Sequence, residues 1–341
     1  MTVKAKKKTA SPSSGGKAGK KSAGLFNFFR ISLVYLLAFY GLHCILRDNV
    51  QSYRSFTQKQ YKNIQQGKVT VSESLAPNPT ITIKNTADLA KTPYDNLVLG
   101  VPGYNCDVII DRMGYALGYS EKYEQPLWVT YKLTADEVKS KKAKRSGDFR
   151  IDEYIPTGSA TPDDYKKSYF DRGHLAPAAD MSFSLQAMSE SFYMSNMSPQ
   201  RPEFNRGIWK DLEEKVRDIA VACGSVYVVT GPVFEPHLPC ITIGRNKVAV
   251  PDKYYKIIFD ANAKNPKAIG FIIPNSNVKE DLANFAVSVD AVEEASGLDF
   301  FPALNKADEM KIESSCDYSA WERLLPKKSK KKNTSSKRSK K

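Results

Sequence analysis

Metal-binding cysteine pairs are missing from this chain. Its 341 residues include five cysteines, and no two stand in a C-x-x-C pattern, which excludes a zinc ribbon. Cys44 sits in an apolar run. The spacing of Cys106, Cys223, Cys240 and Cys316 leaves open one or two disulfides or buried free thiols. Histidine is scarcer still, with only His43, His174 and His237, so imidazole chemistry has few possible carriers. No repeat period is evident, which argues against a solenoid or propeller. Acidic residues are absent from both ends: residues 1–30 hold eight Lys/Arg, residues 327–341 hold nine, and neither stretch has an Asp or Glu.

That last absence changes the meaning of the formal charge of +14. Without the two ends, 34 bases face all 37 acids, a net of −3. The central part is therefore not a basic protein, and an anion-binding surface on it has to be a local patch. The tails supply long-range, salt-sensitive attraction to polyanions, or simply solubilise the ends.

Charged residues are also missing from "ISLVYLLAFYGLHCIL", 31–46, apart from the titratable His43. With "LFNFF" before Arg30, the stretch is just long enough to span a bilayer. Lysines ahead of it predict a cytoplasmic N-terminus and a C-terminal bulk on the far side. No small-x-small cleavage site follows, so an uncleaved anchor fits better than a removed signal peptide. An Arg-rich amphipathic presequence fits less well, because the bases are nearly all Lys. The chain divides into a Lys-rich tail (1–24), a transmembrane signal anchor (25–46), a polar stalk (47–92), a globular domain (93–326) and a basic tail (327–341).

Within the domain, "CDVIID" (106–111), "LWVTYKL" (127–133), "SVYVVTGPVF" (225–234), "YYKIIFD" (254–260) and "AIGFIIP" (268–274) have strand composition. Residues 205–223 place Ile208, Leu212, Val216, Ile219 and Cys223 on one helical stripe, and "VKEDLANFAV" (278–287) predicts a second helix. Strands dominate and helices are not interleaved one per strand. The expected class is α+β around a largely antiparallel sheet with flanking helices.

The chemistry concentrates in "YFDRGHLAPAADMS", 169–182. His174 is a base titrating near neutrality, next to the permanent cation Arg172 and followed by small residues rather than an apolar run that would bury it as packing. Gly173 permits close approach of a bulky ligand. A base for water beside a guanidinium for phosphate suits phosphodiester hydrolysis, although such a His can also merely order a loop. Downstream, Asn205, Trp209 and Glu213 are four apart, along a flank beside the apolar stripe. An amide oxygen and a carboxylate suit a hard cation such as Mg2+. A helix cap and a solvated acid are equally consistent with the spacing.

The ordered set "DRGHLAPAAD", "YMSNMSPQ", "FNRGIWKDLEE" and "VYVVTGPVF" resembles the DNA/RNA non-specific endonuclease family. That group of ββα-metal (His-Me finger) nucleases contains endonuclease G and the secreted bacterial sugar-non-specific nucleases. The resemblance covers about residues 95–305, including "GYALGYSEKYEQPLWVTYKL" and "VEEASGLDFFPAL". It implies a ββα-metal fold and cleavage of DNA and RNA with weak base preference, leaving 5′-phosphates. His174 matches the general base, Asn205 the direct metal ligand, Arg172 the motif arginine, Asn196 the residue orienting the site, and Glu213 the acid that fixes water on the metal. An upstream arginine before an aromatic-x-x-Asp element contacts phosphate, a role open to Arg145 or Arg150. Gln200 is grouped with these substrate contacts.

The implied cofactor is one Mg2+, with Mn2+ as a substitute, and family members are often homodimers. The sequon Asn196-Met197-Ser198 is a coincidence if Asn196 lies in the site; Asn333-Thr334-Ser335 is a second sequon. The leading expectation is a nuclease tethered to a membrane and facing out of the cytoplasm, in a bacterial envelope or periplasm or on the mitochondrial inner membrane. The rival readings are a membrane-tethered nucleic-acid receptor that barely cuts, and a structural envelope protein using its Lys tails.

Overall fold

A computed structural model describes residues 80–325, apart from 84–85, 90, 104 and 236–239. The anchor at 25–46, the tails and most of the stalk lie outside the described residues. Among the described residues no helix is long and apolar enough to cross a membrane.

Eight strands form one antiparallel sheet. They are β1 (Ile81–Ile83), β2 (Val108–Asp111), β3 (Ala116–Ser120), β4 (Gln125–Thr134), β7 (Ser225–Val233), β10 (Lys253–Asp260), β11 (Lys267–Pro274) and β12 (Ala286–Val287), paired in that order. The remaining strands form two small pairs: β5 (Asp171–His174) with β6 (Met197–Gln200), and β8 (Thr242–Ile243) with β9 (Val248–Ala249). All pairings between these strands are antiparallel, as the composition predicts.

The central strands are buried on both faces, and their side chains alternate between two cores. Val129, Tyr131, Val226, Val228, Tyr254 and Ile258 pack on one side with Trp209, Leu212, Val216 and Ile219 of the helix Ile208–Cys223. Trp128, Tyr227, Val229, Tyr255, Ile257 and Phe259 pack on the other with Leu97–Leu99, Phe300, Phe301 and the helices Val289–Ser296 and Lys306–Glu313. The alternation in β10 carries one polar passenger: Lys256 lies between Tyr254 and Ile258, on the first face, and is fully buried.

Three local expectations are corrected. The single helix from 205 breaks at Gly207 into Pro202–Arg206 and Ile208–Cys223. A Cβ at Gly207 would stand 2.4 Å from the Glu203 carbonyl oxygen, so only glycine permits this close backbone approach. Trp209 consequently belongs to the apolar stripe, its ring tilted against Phe204 at 5.1 Å and Tyr254 at 5.7 Å. The segment 278–287 makes a 3-10 turn (Leu282–Phe285) followed by β12 rather than a helix. Cys106, Cys223, Cys240 and Cys316 all carry free thiols.

Candidate active site

The DRGH segment is strand rather than loop. β5 pairs with β6 so that Asp171 faces Gln200 and His174 faces Met197, and the two helices broken at Gly207 follow β6 directly. This strand–strand–helix unit carries His174 at the end of its first strand and Asn205 on its first short helix.

His174 is only 8% exposed, contrary to the expectation that nothing nearby would bury it. The burying groups are remote in sequence. Phe149 meets the imidazole edge-to-face at 5.6 Å and Phe192 at 4.9 Å. Each phenyl ring in turn carries an exposed arginine: Arg172 lies 3.9 Å from the Phe149 centroid and Arg145 4.9 Å from that of Phe192. Desolvation, then the charges of Arg145 and Arg172, bring His174 down to about 3, so it is a neutral imidazole at physiological pH. Its Nε2 is buried and engages no hydrogen-bond partner among the described residues.

The two upstream arginines are thereby separated. Arg145 stands by the imidazole and is close enough to Glu213 for their charges to interact. Arg150 is committed elsewhere: Nη1 donates to Asp148 Oδ2 at 2.8 Å and to the Ser189 carbonyl at 2.9 Å, and its guanidinium stacks on Tyr193. The Asp of the aromatic-x-x-Asp element, Asp152, is structural. Its carboxylate receives two bonds from the fully buried Arg112, at 2.6 and 2.7 Å, and one from Ser195.

Asn196 is fully buried and acts on the backbone. Its Oδ1 accepts from Ala176 N, and its Nδ2 donates to the carbonyls of Ala176 and Ser191. This clamp fixes the chain just after His174 and leaves no room for a glycan. Gln200 is also fully buried. A Cβ on Gly173 would come within 2.1 Å of its side chain. The glycine therefore leaves room for the Gln200 side chain, where the sequence suggested room for a ligand, and both polar atoms of the Gln200 amide are buried with no hydrogen-bond partner among the described residues.

Asn205 is oriented by the acid of DRGH. Its Nδ2 donates to Asp171 Oδ2 at 2.8 Å, which directs the amide oxygen away from that carboxylate, free to act as an acceptor. Arg206 holds Asp171 through both oxygens, at 2.7 and 2.9 Å. Glu213, one helix further on, is partly buried, and desolvation raises it to about 8 against the lowering effects of Lys256, Arg217 and Arg145. Lys256 is the counterpart: burial lowers its amine, which lies 4.6 Å from the Trp209 ring centroid and has no hydrogen-bond partner among the described residues. Asp180, buried behind them, accepts from Tyr131 and Arg217, each at 2.9 Å. Sequence reasoning missed Lys256, Phe192 and Asp180; the only local signal was a lysine inside the apolar alternation of β10.

The residues present fit a hard divalent cation. An amide oxygen with its nitrogen pinned to a carboxylate, and a carboxylate whose desolvated charge a cation would stabilise, are oxygen donors of the kind Mg2+ takes.

A family model described as DNA/RNA non-specific endonuclease matches residues 93–307. The chain is 36% identical over 215 residues to mitochondrial endonuclease G of Homo sapiens, covering 60% of this chain and 72% of that protein. It is 37% identical over 223 residues to nuclease C1 of Cunninghamella echinulata var. echinulata, covering 61% and 88%. The fold matches the crystal structure of an EndoG/EndoGI complex with a TM-score of 0.59 and 34% identity, over 62% of this chain and 92% of that one.

Proposed function

The chain belongs to the DNA/RNA non-specific endonuclease family, a phosphodiester hydrolase family, and on that premise we propose how its residues cut. Water attacks phosphorus in line while neutral His174 removes its proton, and the bond to the leaving 3′ oxygen breaks. Arg145 and Arg172 hold the non-bridging oxygens from either side of the imidazole. Asn196 sets the backbone that presents His174, and Asp171 sets the amide of Asn205. Asn205 would hold a divalent cation, with Mg2+ as its proposed identity and Mn2+ as a substitute, which would supply positive charge to the phosphate and the leaving oxygen; that oxygen takes its proton from water. Contacts made through phosphate carry no base information, in keeping with non-specific cutting.

The observation that carries this reading is a buried imidazole with an unpartnered Nε2, flanked by two ring-supported arginines. Burial depresses His174 first and the two arginine charges add to it; a phosphate between those arginines offsets their part and strengthens the base to that extent as substrate arrives. The test incubates the full chain with supercoiled plasmid and with RNA, in Mg2+ or in chelator, beside His174→Ala. Cutting is expected only for the unmutated chain with metal. Equal cleavage by the variant refutes the assignment.

For the location we infer a membrane from residues 25–46 read as an anchor, and a relative named as mitochondrial supports which membrane. It is the mitochondrial inner membrane, with the nuclease domain on the side opposite the lysine-rich N-terminus. Protease added to mitoplasts digests the domain if this holds, and full protection reverses the orientation.

A further inference from the structure

On the sheet face opposite His174, the helices Val289–Ser296 and Lys306–Glu313 bury Val289, Val292 and Ile312 in the second core. Their other residues bring acids together. Asp290 and Glu293 are three apart on the first helix, Glu309 and Glu313 four apart on the second, so each pair shares a helix face. Carboxylate oxygens of Asp290, Glu293 and Glu313 all lie within 4.8 Å of one another. Oxygens around a Ca2+ bound at about 2.4 Å span at most about 4.8 Å, so one ion reaches all three.

Proximity of acids alone would not point to a ligand. The second observation is Glu309, outside that triad and only 1% exposed. Its Oε1 has no hydrogen-bond partner among the described residues, and neither has Oε1 of Glu313, which is 4% exposed. Glu309 is near enough for its charge to act on both Glu293 and Glu313. The compensation present is the backbone N–H of Phe300, which donates to Glu293 Oε1 at 2.7 Å, and a single lysine. Lys306 bonds the other Glu309 oxygen at 2.9 Å, but its side chain is 67% exposed, while Asp299 adds a further negative charge. Glu313 also closes its helix at the end where the dipole disfavours an acid.

We propose that Asp290, Glu293 and Glu313, with Glu309 behind them, form a second divalent-cation site, of Ca2+ type, that fastens the two C-terminal helices together on the far side of the sheet. All the donors are carboxylate oxygens, which selects a hard cation over zinc or copper. The role is structural, since the site lies on the face away from the imidazole.

The test uses the full chain carrying Asn205→Ala, so that the candidate catalytic ligand does not contribute, with CaCl2 as the probe in calorimetric titration and thermal melting. One Ca2+ is expected to bind, and the melting temperature to rise by several degrees between chelator and millimolar Ca2+. Adding Glu313→Gln should weaken Ca2+ binding at least tenfold and abolish the rise. In chelator that variant should melt no lower than its parent, because repulsion is relieved. If it fails to fold, the more exposed Glu293→Gln and Asp290→Asn supply the same reading. No Ca2+-induced rise in the Asn205→Ala chain overturns the proposal. So does a rise that survives these substitutions.

Discussion

Replacing Asp171 separates the orientation of Asn205 from its mere presence. The carboxylate takes the Asn205 amide nitrogen at 2.8 Å and the Arg206 guanidinium through both oxygens. A hydrogen bond to a charged group contributes about 1.5–3 kcal/mol. Losing that preference in Asp171→Ala lets the amide rotate its nitrogen toward the cation, which corresponds to roughly 10- to 100-fold weaker metal affinity, the usual range for a supporting contact behind a metal ligand. Global stability should change little by comparison. The Arg206 side chain is 72% exposed, and exposed ion pairs contribute about 0–1 kcal/mol. Asp171→Asn keeps an acceptor and removes the charge, so its loss should be the smaller of the two. The assay is plasmid nicking across a Mg2+ titration, with melting in chelator as the control. Asp171→Ala should move the half-saturating Mg2+ upward by one to two decades, leaving the rate at saturating metal within a few-fold of the unmutated chain. An unchanged Mg2+ midpoint in Asp171→Ala refutes the orientation argument.

The two upstream arginines should respond differently: Arg145→Ala should cut kcat/KM for plasmid by tenfold or more with little change in melting, whereas Arg150→Ala, losing bonds to Asp148 and Ser189, should lower melting and leave the rate within a few-fold. His174 sits below its unfolded value of 6.5, so the unfolded chain binds its proton first and stability declines as pH falls from about 6.5 toward 3. The full shift corresponds to about 5 kcal/mol. Denaturant unfolding of the unmutated chain against His174→Ala, compared pH by pH, isolates this contribution from the acids whose raised values act in the opposite direction. Lys256→Met removes the cation that lowers Glu213. The carboxylate then ionises at higher pH, and the acidic limb of the pH–rate profile should move upward, while the loss of one partner of a buried pair lowers stability by about 3–5 kcal/mol where Glu213 is ionised; an unmoved limb would disconnect Lys256 from the site.

How much of this was readable in advance depended on whether the signal was local. β7, β10 and β11 are dense in Val, Ile and Tyr, and their composition marked them within a residue or two. β3 did not stand out. "ALGYS" carries a glycine whose Cβ would strike the Trp128 ring, a packing relation with a residue of another strand. The break at Gly207 was hidden for a related reason: the apolar stripe continues in phase through it, while its cause is a carbonyl four residues back. The 3-10 turn at Leu282–Phe285 was taken for a helix because its apolar spacing suits either, and a three-residue repeat closes before periodicity can separate them.

The site divides along the same line. His174, Arg172, Asn205 and Glu213 were visible because their motifs are contiguous. Their states were not, because each is set by a partner distant in sequence. His174 is neutral on account of Phe192 and Arg145 as well as its neighbour Arg172. Burial raises Glu213 and Lys256 opposes it from 43 positions on, reached only because β10 pairs with β7 and turns that lysine toward the helix. Nothing local marks the part played by Asp171, whose carboxylate grips Asn205 across 34 positions. A motif thus specifies which functional groups are supplied. Whether the imidazole is a base, which way the amide points and when the carboxylate ionises are properties of the sheet that brings the strands together. For that reason the informative substitutions are at Asp171, Arg145 and Lys256: replacing His174 removes the proposed base itself, whereas these three leave the imidazole in place and test what surrounds it.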